Sequence, residues 1–199
     1  TSSFKLRKML ILPLILGALI TGIIILSSEK VRERMLITTI DQLGLNSKSE
    51  RLVLFSKVYE GHYLISLKMF KEKPIFGHGA KMFRFYCIKK ENFVAENACT
   101  THPHNFYAQI LAETGLSGFI FLISFYFFIL FLFFKNFYFQ IKYKKQLISD
   151  YGICLLSSLF VNLFPILPSG NFFNNWLSII IYFPIGFLIY IIMYKKFYV

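Results

Sequence analysis

Acidic residues are scarce: 10 Asp and Glu stand against 22 Lys and Arg, and just two of the ten are aspartates, Asp41 and Asp150. Two aspartates so far apart exclude an Asp-x-Asp site for a metal and a nucleotide, so no reaction drawing directly on a sugar nucleotide is expected. Also missing are a Gly-x-x-x-x-Gly-Lys-Ser/Thr phosphate loop, a His-Glu-x-x-His zinc helix and a Gly-x-Ser-x-Gly nucleophile elbow. Three cysteines are too few for a disulfide scaffold. The net charge of +12 comes without zinc-finger spacing, a basic helix or an aromatic platform. Nucleic acid is therefore not the expected partner, and the charge needs a membrane explanation.

What is abundant is apolar: 56% of the residues are hydrophobic and 19% aromatic, more than a soluble domain of this length carries. The composition predicts an all-α, polytopic membrane bundle. Four apolar runs, residues 9–28, 116–134, 146–167 and 176–194, each approach the roughly 20 residues that span hydrocarbon. No small-residue cleavage site follows the first run, which argues against a signal peptide. The chain starts at Thr1 and enters that run almost at once, which fits the C-terminal part of a longer protein. The expected organisation is a first span with a basic flank in residues 1–28, a large loop in 29–105 and three further spans in 106–199.

Short loops set the orientation, because the Lys/Arg bias is diagnostic there. Lys135, Lys142, Lys144 and Lys145 follow the second run and Lys195 and Lys196 follow the fourth, so both segments are expected in the cytoplasm. The uncharged hairpin 168–175 belongs on the other side, and by parity so does the long loop. One signal dissents, since Lys30, Arg32 and Arg34 after the first run balance Lys5, Arg7 and Lys8 before it.

The loop 29–105 holds 13 Lys and Arg against 8 Asp and Glu, suited either to lipid headgroups or to an anionic substrate. Ser47-Lys48-Ser49-Glu50 is a capping-box pattern. It opens a run in which Leu52, Phe55, Tyr59, Tyr63, Leu67 and Phe70 recur at helical spacing. Pro74, Gly77 and Gly79 then break the helix into an irregular loop. Thr101 and Pro103 fit a helix cap and first turn, which would set His104 in that turn, near the membrane surface. An unbroken helix would carry His104, Gly115 and Gly118 on one face; alternatively Gly115 ends a short helix and the span starts afresh at Leu116.

His104 is the candidate proton acceptor, since an imidazole with an ordinary pKa near 6.5 suits that task at neutral pH. His102, Asn105, Gln109 and Glu113 add polarity at the membrane edge, where ionisable groups are functional candidates. Asn105 equally suits a helix-start hydrogen bond. Arg51 and Arg84 are guanidinium candidates for phosphate oxygens, with Lys81 a weaker third. Cys87 and Cys99 would form a single bridge if their loop lies outside the cytoplasm. Cys99, His102 and His104, with His78 or Cys87, are the strongest metal set, but the spacing is not a standard zinc pattern, and no metal is expected.

Three stretches together resemble a known family. His104-Asn105, nine residues, Gly115, two residues and Gly118 resembles the His-Asn-x9-Gly-x-x-Gly signature of the O-antigen ligase and polymerase superfamily of bacterial membrane glycosyltransferases. "KPIFGHGAKMFR" is similar to its Pro-hydrophobic-Gly-x-Gly stretch and "SERLVLF" to its Ser-x-Arg segment. The resemblance implies the last four spans of a longer protein in the bacterial inner membrane, with the large loop in the periplasm. It also implies a donor glycan on undecaprenyl diphosphate, an acceptor on the lipid A core or on another lipid-linked glycan, and membrane lipids as surroundings. His104 would then assist attack by the acceptor hydroxyl and Arg51 would hold the diphosphate, with Arg84 as helper. Asn105, Glu113, Gly115 and Gly118 would support them, and no cofactor is needed. The first expectation is ligation of a glycan to a lipid A core sugar. A polymerase, a transferase acting on pilin protein and a non-catalytic membrane module stay open.

Overall fold

The computed structural model describes residues 2–42, 57–92, 94 and 98–194. All regular structure among them is helical, and the chain forms two compact units, Thr1–Lys57 and Val58–Val199.

In the first unit, α1 (Ser2–Ser27) is apolar on all faces from Met9 onward, and its described side chains are almost all exposed. Such a surface suits surroundings of lipid or protein rather than water. Ser28 is extended, and beyond it the helical stretch Glu29–Ile40 leaves at 106° to Ile11–Ser27.

The second unit begins with α2 (Lys57–Glu72). Its buried face is His62, Ile65, Ser66 and Met69, spaced as one helical stripe. This stripe differs from the run that the spacing marked: Leu67 is exposed and Tyr59, Tyr63 and Phe70 are half-buried, while Leu52, Phe55 and the capping-box pattern lie outside the described residues. Ile65 and Met69 win the inward positions because they pack with Phe83, Tyr86, Cys87, Ala98 and Ala112. The short α3 (Phe83–Cys87) supplies three of those partners.

The helix α4 (Phe106–Tyr143) is broken at Gly115, whose φ of 68° and ψ of −160° interrupt it. Of the two alternatives above, the structure takes the break. An interrupted helix exposes main-chain groups on both sides, and here loop 74–79 takes them up. Pro74 O and Ile75 O accept from the N–H groups of Leu116 and Ser117 at 2.8 and 3.2 Å, while the N–H groups of His78 and Gly79 donate to Ala112 O and Glu113 O at 3.2 and 2.8 Å. The approach is so close that a Cβ on Gly115 would lie 2.5 Å from the Ile75 carbonyl. Gly118 lets Thr114 pack over the next turn, where Thr114 Oγ1 donates to Ile110 O at 2.7 Å.

Beyond the break, α4 packs with α5 (Asp150–Asn162) and α6 (Asn175–Tyr194) through a core that includes Ile129, Leu132, Leu156, Leu159 and Leu188. Asn136 Oδ1 accepts from the N–H groups of Leu147 and Ile148, each at 3.0 Å, and so fixes the turn into α5. By length and composition one described helix, α4, suits a membrane crossing, and Ile11–Ser27 with Glu29–Ile40 counts as a second if the bent pair is one span. The run expected over 146–167 forms a helix of just 13 residues, about 20 Å long. It starts at Ser149, whose Oγ accepts from Gly152 N, and stops as the chain approaches Pro165, because a residue before proline disfavours helical backbone.

Gly115→Ala is expected to lower the thermal midpoint of the detergent-solubilised protein by several degrees, since it adds positive-φ strain of roughly 1–3 kcal/mol to the clash with Ile75. Gly22→Ala, which meets nothing within 4 Å, should leave the midpoint unchanged in the same melting series; equal midpoints for both would refute the role given to the break.

Candidate active site

Residues 98–105 carry the polar cluster. A disulfide joins Cys99 to Cys87 at the end of α3, with the Cα atoms 5.3 Å apart. Thr100 Oγ1 donates to His102 O at 2.7 Å, which tightens the chain into a local turn. His104 then adopts φ 53°, a left-handed conformation uncommon for a residue with a side chain and found where surrounding structure enforces it. Here the enforcing contact comes from the far hairpin, whose Ser169 N–H donates to His104 O at 2.9 Å.

His104 therefore precedes the helix instead of lying in its first turn, and Asn105 is the cap. Its Oδ1 accepts from Ala108 N at 3.0 Å, the geometry of an Asn N-cap. Its Nδ2 donates to Pro165 O at 2.7 Å. Tyr107 OH donates to Leu163 O at 2.8 Å, so the start of α4 holds the chain that follows α5. Gln109 completes the attachment. Fully buried, it donates to Glu113 Oε2 and Asn171 Oδ1 at 3.0 and 2.9 Å and accepts from Phe172 N at 2.9 Å.

Glu113 has 0% exposure and faces inward as a loop anchor. Its Oε2 accepts from Lys81 N at 3.0 Å and its Oε1 from Phe83 N at 2.9 Å. The same carboxyl thus ties the glycine loop, the start of α3 and Gln109 together. Lys81 contributes its main chain to this anchor.

Three imidazoles meet beside this frame. The His104 ring lies 4.2 Å from that of His102 and 5.3 Å from that of His62, centroid to centroid. Tyr59 stands edge-on to it at 6.2 Å. Burial first, then the His104 and His62 charges, hold the His102 pKa down at about 4, with a smaller contribution from Arg84; the Ser169 main chain pulls weakly the other way without making a hydrogen bond to Nε2. An imidazole so weakly basic is a poor proton acceptor at pH 7, where a base works best with a pKa near the ambient pH. Between the adjacent histidines, chemistry thus selects against His102.

Arg84, on α3, is half-buried and near enough for its charge to be felt at His102. Among the described residues, Arg84 Nε, His102 Nε2 and Ser169 Oγ are buried without a hydrogen-bond partner. Each such group costs about 1–3 kcal/mol, and all three border the His104 loop. The structure thus assembles Arg84, His104, Asn105 and the disulfide in one neighbourhood, with Glu113, Gly115 and Gly118 beneath it. Arg51 lies outside the described residues. His62 and Thr100 are members that the sequence did not single out; the signal available was that His62 shares a helical stripe with Ile65, Ser66 and Met69.

Of the metal set considered, Cys87 and Cys99 are committed to each other, and His78 Nε2 donates to Met69 O at 3.0 Å and lies 3.6 Å from Glu72. Among the described residues no group of three or more His, Cys, Asp or Glu is arranged to hold a metal ion. The neighbouring Tyr86 donates to Glu72, and burial followed by that carboxylate pushes its phenol pKa up.

All-helical structure among the described residues, an apolar helix of membrane-crossing length and an imidazole–guanidinium cluster at its start define a class of membrane protein with a polar site. The O-antigen ligase family model matches residues 2–123, more than half of the chain, and the chain belongs to that family. Its members are bacterial inner-membrane proteins of lipopolysaccharide biosynthesis, with ligase- or polymerase-type action on lipid-linked glycans. Neither a comparison with curated proteins nor one with solved structures gives a match.

His102 gives the loop a pH dependence of defined sign. In the unfolded chain it takes up a proton near pH 6.5 and in the folded chain near 4, so within that window the unfolded state binds more protons. Stability is full above about pH 6.5 and falls as the pH is lowered toward 4. Hydrogen-exchange protection of Ser169 N–H, corrected for intrinsic rates, should decline across that window in the wild type and stay flat in His102→Gln.

Proposed function

We propose that the protein transfers a glycan from undecaprenyl diphosphate to a sugar hydroxyl of the lipid A core, as an O-antigen ligase, on the periplasmic side of the inner membrane. The observation that carries this reading is the His104 imidazole, enforced at positive φ immediately before an apolar helix, with Arg84 close by. A lipid-linked diphosphate has its scissile bond at that depth. The apolar helices suit its polyprenyl tail, and the basic loop suits its phosphates.

In this reaction the acceptor oxygen bonds to the anomeric carbon as the bond from that carbon to the diphosphate oxygen breaks. The leaving diphosphate takes the electron pair and His104 takes the acceptor proton. Removing that proton is general base catalysis, typically worth ~100- to 10,000-fold. The charge growing on the diphosphate calls for fixed cations, and Arg84 is suited by its confinement beside the imidazoles. Arg51 is proposed as the second guanidinium, from its position in the Ser-x-Arg segment. Attack from the opposite side inverts the anomeric centre, and no metal or cofactor is invoked in these steps. Asn105, Gln109 and Glu113 serve by holding the backbone on which His104 is mounted, and the Cys87–Cys99 bridge ties α3 to the same loop. The basic short loops are assigned to the cytoplasm, giving four spans with the His104 loop outside.

The test uses a strain lacking its own ligase, supplied with the lipid-linked glycan and carrying the protein or its variants, with lipopolysaccharide resolved by electrophoresis. Wild type should attach glycan to lipid A core, His104→Ala should lose at least ~100-fold of that activity at equal membrane abundance, and Arg84→Ala should lose ~10-fold or more. Lengthening of lipid-linked chains that still need a separate ligase would replace the ligase with a polymerase. Full activity of His104→Ala would remove the base assignment.

A further inference from the structure

His62 takes no part in the chemistry above, yet it is 1% exposed and flanks His104 on the side of α2. Its ring is 5.3 Å from that of His104 at a 38° tilt, and edge-on to Tyr59 at 6.0 Å and Phe83 at 6.3 Å. Rings on α2 and α3 thus grip it from two sides. Thr100 Oγ1 lies 3.3 Å from His62 Nε2. That hydroxyl has one proton, and it is already given to His102 O at 2.7 Å. Toward His62 the oxygen is left to accept, so Nε2 must carry the hydrogen, and the neutral ring is the Nε2–H tautomer.

We propose that His62 is the positioning residue for His104, a buried ring locked in tautomer and orientation by Thr100 that fixes the angle at which the His104 imidazole meets the acceptor hydroxyl. This rests on the reading of His104 as the base. The physical need is specific. His104 itself precedes the helix, at a strained φ, and the Ser169 bond restrains its main chain but not its ring. Ring contacts from Tyr59, His62 and His102 do restrain it, and of these His62 is the most deeply buried and is tied by Thr100 to the very turn that carries His104. Among the described residues, titratable and charged groups facing this cluster include His102 and His104 from the loop, Tyr59 from α2 and Arg84 from α3.

A misdirected base slows the chemical step without weakening substrate binding. The experiment measures kcat and KM for glycan transfer in membranes, with an undecaprenyl-diphosphate-linked glycan and a lipid A core acceptor, for wild type, His104→Ala, His62→Phe, His62→Gln, Thr100→Val and the His62→Phe/Thr100→Val pair. His62→Phe keeps the ring volume and removes the donor; kcat should fall ~10-fold or more with KM within about twofold. His62→Gln retains an N–H able to reach Thr100 Oγ1 and should recover to within about threefold of wild type. Thr100→Val should reproduce much of the His62→Phe loss, and the pair should be no worse than His62→Phe alone, as expected of two residues acting through one contact.

Membrane abundance and the Cys87–Cys99 bridge, read by thiol labelling before and after reduction, report folding. A wild-type kcat in a folded His62→Phe or Thr100→Val overturns the proposal, as does a His62→Gln no better than His62→Phe. If His62→Phe fails to accumulate, His62→Gln and Thr100→Val decide by the same thresholds. Full activity of His104→Ala overturns the base assignment and this proposal together, whereas loss in His104→Ala with a wild-type rate in His62→Phe overturns this proposal alone.

Discussion

A helix interrupted at Gly115 has main-chain donors on one side of the break and acceptors on the other, and loop 74–79 supplies the complementary groups to both. Four hydrogen bonds link the loop to Ala112, Glu113, Leu116 and Ser117, and without them each group would cost about 1–3 kcal/mol in a buried setting. Two glycines at positive φ, Gly77 and Gly115, allow the backbones to come this close. The rest of the site hangs on this junction. Glu113 sits one turn below Gln109 and reaches the main chain of Lys81 and Phe83, so the break fixes where α3 begins and hence where Arg84 stands.

Two neighbouring histidines, separated by Pro103, meet different surroundings in the resulting loop. His102 is turned inward, where burial and neighbouring charge suppress its protonation. His104 is turned toward the other imidazoles by a left-handed backbone that Ser169 holds from outside the loop. An enforced conformation at the proposed reacting residue is a recurrent feature of active sites, where surrounding packing sustains strain that an isolated loop would relieve.

The hairpin 163–174 lies beyond the region that matches the family model, yet it is bonded to His104, Asn105, Tyr107 and Gln109. The last two helices thus do more than complete a bundle: their connection forms one wall of the His104 neighbourhood. That wall is attached through its main-chain carbonyls and amides and through the Asn171 side chain. Ser169 Oγ, buried without a partner, is where this wall meets the loop.

The sequence by itself determined the helical class, the apolar runs and the family, because periodicity, composition and the spacing of His104, Asn105, Gly115 and Gly118 are local quantities. It left two outcomes at Gly115 open, since a glycine permits both an unbroken helix and a stop. Only the partner loop decided between them, by satisfying the groups that a break exposes. Likewise Asn105 was equally suited to capping the helix or to adding polarity beside His104, and the tertiary structure gave it the cap. The helical spacing of the aromatic residues around α2 did not say what that face meets, and burial within the unit went to the residues that Phe83, Tyr86 and Ala112 can close upon. His62 and Thr100 could not be paired from sequence, because a His and a Thr 38 positions apart have no shared pattern until the chain brings them to 3.3 Å. Contacts between segments distant in sequence arise from packing, and packing is a property of the folded chain.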